Sequence, residues 1–238
     1  MKCHANSPPF SRDVAKRTKR SRRAYVMCSP KNGFVEIRLE SRLEQSVAQA
    51  LELDPRVRAY STQPFTLDLT SGAFLAKKPS RQLVNAAFYT PDFVVELEDL
   101  QVVVEVKPRV FVQEHLELFA RVRSVLLKKG VRFVVVCEDS FPGHYLRNAQ
   151  LFMQYLAQAS DALPRWAEQL QTRASVDLFG RVSDVLVGLE PMNYYLAAGA
   201  LSGVIKFDLS RHLFERMDFL LEPAFGALTM FEVIRYEP

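Results

Sequence analysis

Asp92, Glu105 and Lys107 are the residues whose types and spacing suggest chemistry. Asp92 stands in Tyr89-Thr90-Pro91-Asp92-Phe93-Val94-Val95, and thirteen residues later Glu105 and Lys107 end the run Val102-Val103-Val104-Glu105-Val106-Lys107. Side chains alternate across a strand, so Glu105 and Lys107 leave the backbone on one face. If Asp92 begins the neighbouring strand, two carboxylates and one ammonium converge. Two carboxylates supply oxygen ligands for a hard divalent ion, Mg²⁺ with Mn²⁺ as its substitute. The carbonyl of Val106, between the two site residues, adds a further oxygen. The lysine can hold or polarise a water aimed at a phosphorus atom. Charged residues beside strands are common, and a bare P-D…E-x-K string occurs by chance. The weight here comes from the spacing and the two apolar strands.

The elements that must position these groups can be read from periodicity. Ser29-Pro30-Lys31-Asn32-Gly33 marks a turn, and Phe34–Ile37 reads as a short strand. Residues 40–53 have helical periodicity and stop at Asp54-Pro55. Glu40, Glu44, Val47, Ala48 and Leu51 share one stripe of that helix. A glutamate among apolar neighbours needs a counter-charge, a hydrogen bond or a metal, and Glu44 is the better candidate of the two. The bland alternative is a partly exposed glutamate at the stripe's edge.

Val57–Leu69 reads as strand broken at Gln63-Pro64, and strands follow at 92–98 and 101–107, the second closed by Pro108. Gln113–Lys129 forms an amphipathic helix with Gly130 as its C-cap. Val131–Cys137 is a buried strand, expected parallel to its partner because a helix connects them. A helix resumes around Leu146–Ala159. Together these predict an α/β domain with a mixed sheet and helices on both faces.

From about residue 160 the pattern changes. Ala162–Arg173, Asp177–Val187 and Pro191–Leu201 read as short helices, and Gly203–Leu209 with Phe219–Leu221 as a β-hairpin. Three helices and a two-stranded wing describe a small winged-helix C-terminal domain. A recognition helix beginning Glu190-Pro191-Met192-Asn193 offers no row of Arg or Lys for guanines. Protein docking or weak DNA contact is preferred over base reading, with plain packing as the bland option.

Hydrophobic residues make up 48% and charged residues 24% of the 238, the balance of an ordinary soluble globular protein. No apolar run approaches the ~20 residues of a membrane span, and the N-terminus lacks a secretory core, so cytoplasmic residence is the default expectation. Cys3, Cys28 and Cys137 are scattered and read as reduced thiols, and four dispersed histidines argue against zinc. The net charge of +4 hides an asymmetry. Residues 1–35 hold nine Lys or Arg against one acid, a local +8 that leaves −4 for the rest. Lys16, Arg17, Lys19, Arg20, Arg22 and Arg23 form a basic arm suited to phosphate contact with little sequence reading, or else a solvated tail. The expected divisions are a basic arm at 1–28, the α/β domain at 29–159 and the winged-helix domain at 160–238.

The acid–acid–lysine constellation resembles the PD-(D/E)XK nuclease core, which implies a restriction-endonuclease-like fold. The ordered set is more specific. The basic arm, Ser29–Gly33, Glu40-Ser41-Arg42-Leu43-Glu44, Asp54-Pro55-Arg56-Val57, Gln63-Pro64, Tyr89–Phe93 and Glu105-Val106-Lys107-Pro108 resemble TnsA, the endonuclease subunit of heteromeric cut-and-paste transposases. By this resemblance Glu44, Asp92, Glu105 and Lys107 occupy the catalytic positions, with the metal held by Glu44, Asp92, Glu105 and the carbonyl of Val106. Some members of the family carry glutamine where Glu105 stands. Gln63 is a candidate accessory group, with a structural amide as its alternative.

The resemblance implies cleavage of the 5′ strands at the ends of double-stranded transposon DNA. It also implies a TnsB-like DDE transposase for the 3′ strands, a TnsC-like ATPase regulator, and action at the nucleoid. Two other readings stand beside it. One is a nuclease-fold DNA-binding or scaffold subunit without its own cleavage, and the other is a restriction or repair nuclease.

Overall fold

The computed structural model describes residues 25–77, 79 and 87–237. These form two compact units. Residues 53–55 and 141–233 cluster as one, and the remaining described residues as the other. The basic residues Lys16, Arg17, Lys19, Arg20, Arg22 and Arg23 lie outside the described residues.

The larger unit opens with a hairpin absent from the sequence expectation. Strand β1 (Tyr25–Ser29) takes the last residues assigned to the arm and pairs antiparallel with β2 (Val35–Leu39). Helix α1 (Arg42–Leu53) follows, then β3 (Ala59–Thr62), β4 (Thr66–Asp68), β5 (Phe74–Leu75) and β6 (Phe88–Tyr89). Strands β7 (Phe93–Glu96) and β8 (Gln101–Val106) form an antiparallel hairpin, with Phe93 opposite Val104. Helix α2 (Arg109–Val112), a 3₁₀ turn at Gln113–His115 and α3 (Leu116–Leu127) lead into β9 (Arg132–Val136), which pairs parallel with β8. The expected single helix from Gln113 thus begins earlier and is interrupted by that 3₁₀ turn.

The main sheet has strand order β3-β7-β8-β9, mixed in direction, while β5-β4-β6 form a separate antiparallel sheet. One face of the main sheet meets α1, where the Tyr60 ring on β3 packs 6.1 Å from Phe93 and its hydroxyl donates to Glu52 Oε2 at 2.8 Å. The other face meets α3 through a core of Tyr89, Val94, Val103, Phe119, Val122, Leu126 and Phe133. Central strands covered on both faces read as continuous apolar runs, which is why Val102–Val104 carry no polar alternation. Gly130 ends α3 as expected. At φ 72°, a conformation that glycine adopts without Cβ strain, Gly130 N–H reaches Leu127 O and Val131 N–H reaches Leu126 O.

Ser29, Lys31, Asn32 and Glu52 explain the Ser29–Gly33 turn. Glu52 accepts from the Ser29 hydroxyl (2.7 Å), the Lys31 amide (2.6 Å) and Tyr60, while Lys31 Nζ donates to Leu51 O (3.0 Å) at the end of α1. Cys137 is free and buried.

In the second unit, α4 (Tyr145–Ala159), α5 (Leu163–Gln171), β10 (Gly180–Arg181), α6 (Val182–Val185), α7 (Met192–Leu201), β11 (Ile205–Lys206) and β12 (Leu220–Pro223) follow in order. Their sheet order is β10-β12-β11. The helix expected over Asp177–Val187 is broken into a 3₁₀ turn (Ser175–Leu178), β10 and α6. Gly180, at φ 149°, sits where a helix cannot continue. Tyr195 to Ala200 of α7 are all buried, so most of that helix serves packing.

The units also divide differently from the expected boundary at 159/160. Helix α4 clusters with the C-terminal unit because Phe152 stacks edge-on with Phe214 and Phe231 (both 5.3 Å). Asn148 reinforces it by donating to Leu209 O and His212 O and accepting from Phe214 N–H. Residues 234–237 cluster with the larger unit, where Arg132 donates to Tyr236 O (2.9 Å) and Arg56 lies over the Tyr236 ring.

Candidate functional site

The β7–β8 ladder ends with Phe93 opposite Val104. One residue beyond, the Asp92 side chain replaces a backbone acceptor, taking the Val106 amide on Oδ2 at 2.8 Å. This bond fixes the carboxylate against the end of β8. Glu105 and Lys107 share one face of β8, the face that Val103 presents to α3. Lys107 is kept extended because its own amide donates to Val136 O at 3.0 Å, prolonging the parallel pairing with β9. Its Nζ lies 3.3 Å from Glu105 Oε1, with the lysine side chain 25% exposed and the glutamate 9%. The other oxygen of Glu105 accepts from the Tyr89 hydroxyl at 2.7 Å.

Glu44 stands in the first turn of α1 and is buried. Ser41-Arg42-Leu43-Glu44 is a capping box. The Ser41 hydroxyl takes the Glu44 amide (3.1 Å) and donates to Glu44 Oε1 (2.8 Å), and Glu44 Oε2 accepts the Glu40 amide (2.9 Å). The S-x-x-E spacing is visible in the sequence, and it is the signal for a second role that the apolar stripe alone does not reveal.

These carboxylates feel one another. Burial pushes the Asp92 carboxyl well above the ordinary range, and the charges of Glu105 and Glu44 push it further; the Val106 amide and Lys107 pull the other way. Glu105 is raised by burial and held down by the Tyr89 hydroxyl and Lys107. Glu44 is raised by burial, against the Glu40 amide and Ser41, with the charges of Glu40 and Glu105 adding to the rise. Tyr89 is driven well above the tyrosine range by burial and by Glu105 and Asp92, so its hydroxyl keeps its proton and acts as donor. The structure therefore brings Glu44, Asp92, Glu105 and Lys107 into one electrostatic neighbourhood.

Among the described residues, no group of three or more His, Cys, Asp and Glu side chains is arranged to hold a metal ion. Asp92, Glu105 and Glu44 instead spend oxygens on protein donors. The donor set nevertheless suits a hard divalent ion. Three mutually repelling carboxylates with raised proton affinity, and one lysine beside them, are oxygen-rich, free of thiol and imidazole, and short of positive charge.

Gln63 joins this neighbourhood through its backbone, donating to Asp92 O at 3.1 Å. Its side-chain nitrogen donates to Glu40 Oε1 at 3.1 Å. Tyr89 and Ser41 are the residues that sequence reasoning quoted without a role. A tyrosine three positions before the aspartate, on a separate short strand, gives no periodic sign that it faces Glu105.

Residues 54–138 match the family model described as TnsA-like endonuclease N terminal. The matched segment is similar to TnsA-like endonuclease N-terminal domains, and it carries Gln63, Tyr89, Asp92, Glu105 and Lys107. Glu44 lies upstream of it and the C-terminal unit downstream. No curated protein matches the chain. No helix among the described residues is long and apolar enough to cross a membrane.

Proposed function

We propose that the chain is the Mg²⁺-dependent endonuclease subunit of a heteromeric transposase, hydrolysing the 5′ strands at transposon ends. The observation that carries this reading is the shared field of Asp92, Glu105 and Glu44 beside the Lys107 ammonium, within or next to a TnsA-like endonuclease domain. Asp92, Glu105 and the Val106 carbonyl would hold the ion, with Glu44 completing the set. A bound Mg²⁺ supplies Lewis-acid stabilisation of the phosphoryl charge and lowers the proton affinity of water.

Lys107 orients the attacking water and offsets charge building on the phosphoryl oxygens in the transition state. Its tether to Glu105 Oε1 holds the ammonium beside the scissile group. Asp92, pinned by the Val106 amide, presents its second oxygen without rotamer search. Lys16, Arg17, Lys19, Arg20, Arg22 and Arg23 would track backbone phosphates. The order of short helices and strands in the second unit supports a winged-helix assignment that serves docking of a TnsB-like transposase or TnsC-like ATPase, since its buried α7 leaves little for base reading.

The test is a strand-labelled cleavage assay on transposon-end DNA, with and without the partner transposase, in Mg²⁺ and in EDTA. Cleavage of the 5′ strand that needs Mg²⁺ and disappears in Lys107→Ala is expected. Equal 5′ cleavage by folded Lys107→Ala and wild type overturns the assignment. A chain that supports transposition unchanged after loss of Asp92 and Lys107 is a scaffold subunit instead.

A further inference from the structure

Gln63, whose backbone amide is bonded to Asp92 O, carries an unmet polar group. It is 5% exposed, and its Oε1 is, among the described residues, the one buried side-chain oxygen or nitrogen without a hydrogen-bond partner. The orientation of the amide follows from chemistry. The Glu40 carboxylate accepts and does not donate, so the nitrogen must face it and the oxygen must face away. A buried carbonyl oxygen left in that state is costly unless something arrives to use it.

The backbone reinforces the point. Gln63 sits at φ 47°, a left-handed conformation that a glutamine rarely adopts and that Pro64 does not favour in the residue before it. It is held there by its amide bond to Asp92 O, directly after the last β3–β7 pair, Thr62 opposite Phe93. The strained turn therefore fixes Gln63 between Glu40 of the α1 entry, which accepts from its side-chain nitrogen, and Asp92, whose carbonyl accepts from its backbone.

We propose that Gln63 is a fifth functional residue of the site, its Oε1 supplying a neutral oxygen to the shell of the divalent cation assigned to Glu44, Asp92 and Glu105. The inference rests on the nuclease reading above. A neutral donor fits there because a fourth carboxylate would add repulsion to three that already raise one another's proton affinity. Gln63 is in this sense a positioning and ligand group, and it takes no proton.

The experiment is Mn²⁺ binding to the full chain, followed by titration calorimetry and by Mn²⁺ electron paramagnetic resonance, with and without a DNA duplex. Gln63→Leu and Gln63→Asn are expected to weaken Mn²⁺ at least fivefold while unfolding as cooperatively as wild type. Asn tolerates positive φ, so Gln63→Asn decides the matter if Gln63→Leu does not fold. Unchanged Mn²⁺ affinity in a folded Gln63→Asn overturns the role of Gln63. Asp92→Ala separates the two levels. If it loses Mn²⁺ while Gln63→Asn does not, only Gln63 is wrongly assigned. If Asp92→Ala binds as wild type does, or wild type takes up no Mn²⁺ in either condition, the cation site itself is wrong.

Discussion

The Tyr89 hydroxyl donates to Oε2 of Glu105 at 2.7 Å, joining the short strand β6 to the centre of the main sheet through a buried hydrogen bond. Because Tyr89 is held in its protonated form, the bond favours the ionised Glu105 and offsets part of what burial costs it. Tyr89→Phe is expected to lower stability by about 1.5–3 kcal/mol, the range for a hydrogen bond to a charged group. The deficit should be larger at pH 8 than at pH 5.5, where Glu105 takes a proton more readily. Urea denaturation at the two pH values reads this directly.

Asp92→Asn keeps an oxygen for the Val106 amide and removes the charge. Folding should be preserved or improved, since the variant relieves repulsion from Glu105 and Glu44. Cleavage should fall by about 10²-fold or more, the scale expected when a charged group of a catalytic site is lost. A stability gain with unchanged cleavage would separate Asp92 from the reaction.

The raised carboxyls give the cation-free protein a defined pH dependence. Asp92, Glu105 and Glu44 have higher proton affinity folded than unfolded, so the folded state binds more protons in the window above the ordinary carboxylate pKa. Stability therefore rises as pH falls from neutrality toward about 4.5, the ordinary glutamate value, and is lost as pH climbs through the raised pKa values. In EDTA, melting should shift upward between pH 7.5 and pH 5.5, and Asp92→Asn should flatten that slope. Excess Mg²⁺ should raise the pH 7.5 melting temperature of wild type and not of the variant.

Glu44 combines a cap with a charge, and two substitutions separate them. Glu44→Gln retains an acceptor oxygen for the Glu40 amide and an NH2 that can donate to the Ser41 hydroxyl oxygen, so it should fold normally and cleave poorly. Glu44→Ala should in addition lose about 1 kcal/mol of stability from the broken capping box. Equal melting of the two variants would show that the cap contributes little.

Glu52, remote in role from the site, tests the scaffold. Its carboxylate accepts from Ser29, the Lys31 amide and Tyr60, and Glu52→Ala removes that acceptor from each, leaving Tyr60 its longer bond to Ala48 O at 3.4 Å. A loss of about 3 kcal/mol is expected by chemical denaturation, with cation affinity changed only through stability.

The order of elements in the larger unit was legible because each has a local cause. Apolar β-branched runs made β7, β8 and β9; helical spacing before Asp54-Pro55 made α1; Gly130 closed α3; and the connecting helix required the parallel β8–β9 pairing. Strand alternation likewise placed Glu105 and Lys107 on one face. The second unit was less legible because its strands are two to four residues long, too short for a period, and Gly180 splits what composition presents as a helix.

Partners distant along the chain belong to the tertiary structure alone. Sequence spacing places the Asp92 carboxylate near the β8 end, but only the closed sheet shows that it completes the ladder by accepting Val106 N–H. Only the packing of β6 against β8 brings Tyr89 to Glu105, sixteen residues away. Only the turn after β3 strands the Gln63 oxygen inside the protein. Local propensity acts over a few residues and so writes itself into sequence pattern, whereas a buried polar group is satisfied or orphaned by whatever the finished fold sets beside it.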